Sequence, residues 1–181
     1  MKKILIISFL VFYGITTYAQ SLSLSDLTNM ATFGMGRANV FLTQGKPFKQ
    51  IYMQDKGKLV IHHYKGITPP SKCETVVVGD GFVTASGTLL HSVTYTSTQT
   101  KYILNLLSQA PAAGFNRNFL GADRYKKIYL YANSLYTMRI FINLDNSAGT
   151  VEVKQNDFVT YWSEIRDQRL EIRDQRLEIR D

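Results

Sequence analysis

What most restricts the fold of this chain is a series of short stretches in which apolar or aromatic residues alternate with polar ones, each closed by a turn signal. "FKQIYMQ" and "KLVIHHY" flank Asp55-Lys56-Gly57, which predicts a hairpin. "ETVVVGDGFVT" and "GTLLHSVTYTS" follow, punctuated by Gly79-Asp80-Gly81 and Ser86-Gly87. "RYKKIYLYA", "LYTMRIFIN" and "TVEVKQ" close the run through turns at Asn133-Ser134 and Asp145-Asn146-Ser147-Ala148-Gly149. Short strands joined by tight turns pair with their chain neighbours, so the sheet is expected to be largely antiparallel.

Helical spacing appears in two places. Ser25 is a candidate cap for a helix carrying Leu27, Met30 and Ala31, which Gly34 and Gly36 interrupt. A second short helix through Val40, Phe41 and Leu42 should end at Gly45 in a left-handed cap, with Pro47 soon after. "STQTKYILNLLSQAPAAGF" predicts the clearest helix, over 98–109. Ser97 or Thr98 would cap it, Tyr102, Ile103, Leu106 and Leu107 form one stripe, and Pro111 and Gly114 stop it. The fold class is therefore α+β, with short helices packed on one face of a largely antiparallel sheet.

The ends have a different character. "MKKILIISFLVFYGITTYAQ" has Lys2 and Lys3 ahead of an apolar run, Ile4 to Ile15, and then small residues at Thr17 and Ala19. This predicts a secretory leader over 1–19, cut before Gln20. The run is shorter than the ~20 residues of a spanning helix, and no cysteine follows the cut to carry a lipid. The mature chain is expected in the periplasm or outside the cell, with no transmembrane span. Its lone cysteine, Cys73, leaves the fold without an intramolecular disulfide.

At the other end, 163–181 repeats EIRDQRL twice and begins a third copy. Its apolar positions, Ile165, Leu170, Ile172, Leu177 and Ile179, are spaced five, two, five, two. Neither a coiled coil nor a strand has that period. The i,i+4 pairs are like-charged: Asp167–Glu171, Arg169–Arg173 and Asp174–Glu178. One set of codons for the repeat regroups into near-copies of a heptanucleotide, TTAGAGA, so the tail reads as a translated DNA repeat; a functional helical tail is the alternative.

Between the ends, 20–162 is expected to form a single domain. The chain has 21 basic and 14 acidic residues; removing the leader's two lysines and the tail's five arginines and six acids leaves 14 against 8, net +6. For an exported chain a basic body favours anionic glycans, lipid headgroups or acidic proteins over nucleic acid.

Catalytic and metal patterns are weak. Cys73 with His62, His63 or His91 suggests a small hydrolase, a rival reading, but no family signature surrounds the cysteine. His62 and His63 are adjacent on a strand and point to opposite faces, so they cannot share a metal. "VVVGDGFVTASG" has no Lys-Ser/Thr and is not a phosphate loop. No catalytic residue, metal or cofactor is assigned.

The order of elements repeats: helix, glycine, a phenylalanine within three residues (Gly45 to Phe48; Gly114-Phe115), then strands. Halves of 25–95 and 97–157 are expected. The arrangement resembles the tandem helix-plus-antiparallel-sheet plan of small exported bacterial proteins, including the β-lactamase-inhibitor-like and TBP-like folds. That resemblance implies a non-catalytic binding or inhibitory role; a structural envelope protein is a further reading. Alternation places Ile51, Met53, Leu59 and Ile61 inward, with Tyr136, Met138, Ile140 and Ile142. It places Tyr52, His62, Tyr64, Tyr125, Lys127, Tyr129, Tyr131, Arg139 and Phe141 outward, as a candidate binding face of tyrosines among basic groups.

Overall fold

The structure is a computed structural model and describes residues 20–57, 59–69, 71–79, 82–83 and 89–157. The expected leader and the heptad tail lie outside the described residues.

Three helices precede or interrupt the strands: α1 (Leu24–Thr32), α2 (Met35–Val40) and α3 (Thr100–Gln109). Ser23, not Ser25, caps α1. Its hydroxyl accepts the Asp26 N–H, and the Asp26 carboxylate accepts the Ser23 N–H at 2.8 Å. Ser23-x-x-Asp26 thus forms a reciprocal box, whereas Ser25 already lies in the first turn. Leu24, Leu27, Met30 and Ala31 turn the apolar side of α1 into the core. α2 runs into a π-helical turn, Phe41–Gly45, and leaves it through extended Lys46. Gly45 does not adopt a left-handed conformation; the widened turn ends the helix instead. The turn that follows α3 does close on a left-handed glycine, Gly114, with the Phe115 N–H returning to the Ala110 carbonyl.

The strands are β1 (Phe48–Lys56), β2 (Leu59–Gly66), β3 (Glu74–Val78), β4 (Phe82–Val83), β5 (Leu89–Leu90), β6 (Ser92–Ser97), β7 (Asn116–Ala122), β8 (Lys126–Ala132), β9 (Tyr136–Asn143) and β10 (Gly149–Gln155). Eight of them form one antiparallel sheet in the order β1-β2-β3-β6-β10-β9-β8-β7. β4 and β5 make a separate ribbon between β3 and β6. β7 has no clean strand signal in the sequence. Asn116, Asn118 and Gly121 are poor strand formers, and a bulge between Arg117 and Phe119 breaks its alternation. A second bulge, between Gln50 and Tyr52, lies on β1. The two edge strands of the sheet are therefore both bulged.

The helices sit on one face. α1 and α3 pack on the central strands β6 and β10, over Val93, Tyr95, Val151 and Val153, all fully buried. Phe48 and Phe115, which follow the two glycines singled out in the sequence, are both buried in this core. Leu107 packs at its margin, while Tyr102, Ile103 and Leu106 fill it as the helical stripe requires.

Candidate docking face

Which side chains share a face follows from the cross-strand register. On the second hairpin, Tyr131 pairs with Met138 and Tyr129 with Ile140. Met138 and Ile140 are buried under the helices, so Tyr129, Tyr131 and Lys127, opposite Ile142, lie on the helix side. The outward placement of these three is corrected accordingly. Tyr131 is buried and Tyr129 packs against the core. Ile128, Leu130 and Ala132 are the outward residues, beside Phe141, Arg139 and Thr137. The signal was present in the turn. A hairpin closed by Asn133-Ser134 pairs even positions with odd ones, so an inward Met138 requires an inward Tyr131.

The first hairpin needs a similar correction. Lys56 pairs with Leu59, one residue tighter than a three-residue turn at 55–57 would allow. Tyr64 pairs with Val76 and His62 with Val78, both inward. Tyr64 is fully buried, and its hydroxyl lies 3.2 Å from the Asn39 side-chain oxygen and 3.4 Å from His62 Nδ1. Burial pushes its hydroxyl up to about 12, so it remains a donor. His63 is the outward histidine, stacked on Tyr52 at 4.1 Å between ring centroids. The bulge on β1 leaves Ile51 and Met53 more than half exposed rather than buried. Tyr125 is off the sheet, in the β7–β8 turn, with Arg124 over its ring. That turn is fastened by the Asp123 carboxylate, which accepts the Tyr125 and Lys126 N–H groups and is held below the usual carboxylate range by them.

Of the nine residues expected on one binding face, Tyr52, Arg139 and Phe141 share the uncovered side of the sheet. The register adds others there. Thr75, Thr94, Thr96, Thr137 and Thr150 form a hydroxyl-lined middle across four strands. Among the described residues the charges are strongly unequal: Lys49, Lys56, Lys65, Lys126, Arg139 and Lys154 face outward from the strands, against one acid, Glu152. Glu152 sits between two of them, 2.7 Å from Arg139 and 3.1 Å from Lys154. Burial works to raise its carboxyl, but these two cations outweigh that and hold it below the ordinary value. Lys49 and Lys65 stand directly opposite each other. A shallow pocket of about 330 Å³ is lined by Gln54, Lys56, Ile61, His63, Val77 and Thr94.

The Cys–His pairing considered from sequence is not assembled. Cys73 precedes β3, with its Sγ 3.8 Å from Ser97 Oγ. His63 pairs with Val77, four residues along, or roughly 13 Å at ~3.3 Å per residue. His91 lies before β6, at the opposite end from Ser97, which pairs with Glu74. Among the described residues no group of three or more His, Cys, Asp or Glu side chains is placed to hold a metal ion, and no helix is long and apolar enough to cross a membrane. No family model matches the chain, and no curated protein or solved structure is significantly similar to it.

Proposed function

We propose that this protein is an exported, non-catalytic binding module that docks an acidic protein surface on the uncovered face of its sheet. The observation that carries the reading is the charge of that face, six basic side chains against one acid among the described residues, where no described helix packs. The opposition of Lys49 and Lys65 strengthens it. Like charges placed directly across a strand pair weaken a sheet, and an acidic partner turns that cost into attraction.

Dimensions favour a protein over a glycan. Eight strands at ~4.8 Å by about seven residues at ~3.3 Å give roughly 900 Å², close to the ~800 Å² one partner contributes to a standard protein interface. A sugar needs an aromatic ring with an open face. Here Tyr52 is stacked on His63, the Phe119 ring lies across Gly121, and Phe141 is only partly exposed.

A photo-crosslinking residue at Thr94 or Thr150 in exported protein is expected to trap one acid-rich protein, in yield falling steeply with salt. The same residue at helix-side Leu120 should trap none. Lys49→Glu and Lys65→Glu should each weaken capture by about tenfold, about 1.4 kcal/mol, while each raises thermal stability by removing a like-charge pair. Equal trapping from Leu120, capture indifferent to charge reversal, or retention only of polysaccharide would overturn the reading.

A further inference from the structure

Beyond the docking face, the core holds an incomplete polar cluster. Glu74, the first residue of β3, is fully buried. Its Oε1 receives the Ser21 N–H at 3.4 Å and the Ser21 hydroxyl at 3.3 Å, both long. Neither its Oε2 nor the buried Tyr95 hydroxyl makes a hydrogen bond of ordinary geometry, although the two side chains lie close enough to interact. Tyr95, Cys73 and Tyr102 are the other titratable groups around it. Burial pushes the Glu74 carboxyl up, and contacts from Ser21 and Tyr95 offset this only in part. A buried carboxylate short of donors is costly.

The segment that reaches Glu74 is firmly seated. Leu22 is buried in the core. The Gln20 side chain donates to the Leu22 carbonyl and accepts from Asn105 at 3.0 Å. Covalent geometry keeps the Gln20 nitrogen within ~3.7 Å of the Ser21 nitrogen, hence within about 7 Å of Glu74 Oε1.

We propose that cleavage after Ala19 delivers the α-ammonium of Gln20 to Glu74 as the missing partner of its carboxylate, so that processing completes the core. This rests on the export reading. Hydrolysis of the Ala19–Gln20 bond by a leader peptidase consumes one water. Ala19 departs as a carboxylate, and the Gln20 amine takes up a proton. The peptide N–H, a single fixed donor, becomes an ammonium with three donors on a freely turning bond.

The test uses the chain from Gln20 to Asp181, released in vitro from a fusion so that it does not depend on export, beside the same chain beginning at Ala19. The α-amine of Gln20 should titrate about one unit above its ordinary value of roughly 7.7–8.0, and that rise should vanish in Glu74→Gln. The Ala19-extended chain should unfold at lower urea, and the gap should close in Glu74→Gln. An ordinary amine titration, which needs no variant, overturns the proposal. So does a gap that persists in Glu74→Gln, or a mature mass short by one ammonia, since a Gln20 closed to the lactam has no amine to donate. N-terminal sequencing of cell-derived protein tests export separately: an intact leader defeats the trigger and the export reading, whatever the amine titration shows.

Discussion

Gly66→Ala is the sharpest test of the packing that presents the proposed docking face. Gly66 ends β2 opposite Phe48. A Cβ built there would lie 2.7 Å from Ser71 Cβ and closer still to the Ser71 carbonyl. The obstacle is backbone, and it is pinned. Ser71 Oγ donates to the Thr68 carbonyl at 2.6 Å and reaches the Pro47 carbonyl at 3.3 Å, while the Ile67 N–H bonds Pro47 at 3.0 Å. Relief requires the Ser71 backbone to withdraw by roughly 1.5 Å, loosening two or three bonds worth ~0.5–1.5 kcal/mol each. With overpacking strain the cost is about 2–4 kcal/mol. At ~3–4 °C per kcal/mol for a domain of this size, the thermal midpoint should drop by roughly 6–15 °C. Circular dichroism melts check it, with Gly36→Ala as the control: nothing lies within 4 Å of that Cβ, and alanine favours the helix. If Gly66→Ala melts with the parent, the turn is not fixed as described, and the placement of Lys65 and Thr75 beside it fails too.

Leu106→Ala removes a fully buried side chain of α3 and should cost about 2–5 kcal/mol in urea unfolding. Glu152→Gln should lower stability at neutral pH but have little effect near pH 3. A carboxyl held below its ordinary value stabilises above the unfolded pKa of ~4.3, and that contribution is lost as pH falls through the folded one; urea midpoints at the two pH values decide it. Truncation after Trp162 should leave the melt unchanged, because the tail's apolar residues share no consistent face.

The sequence made the helices and most strands legible because their signals are local. The stripe on α3 and most of the turns between strands are read within a few residues, whereas the cap of α1 falls on Ser23 rather than Ser25. The faces were less accessible. They depend on hairpin parity and on bulges, and one residue of slip moves every side chain across the sheet. Tyr129 and Tyr131 illustrate the cost: alternation alone assigns their strand two sides, and only pairing with Met138 and Ile140 says which is inside. Arg139 and Phe141 were placed correctly because β9 has no bulge and a strongly apolar inner side. Lys49, Lys65 and Lys154 were missed because a basic face spread over several strands leaves no mark in any single segment.

The bulges on β1 and β7 carry one more consequence. An open sheet of eight strands has two free margins, and a second molecule adding its own strand to either would begin a polymer. At both margins an extra residue throws the outer ladder out of step, so an incoming strand matches a few bonds and then loses registry. Lys49 and Lys56 add charge along the β1 margin. Apolar residues such as Ile51, Met53 and Phe119 can therefore stand exposed at the rims without making the molecule a seed for fibres.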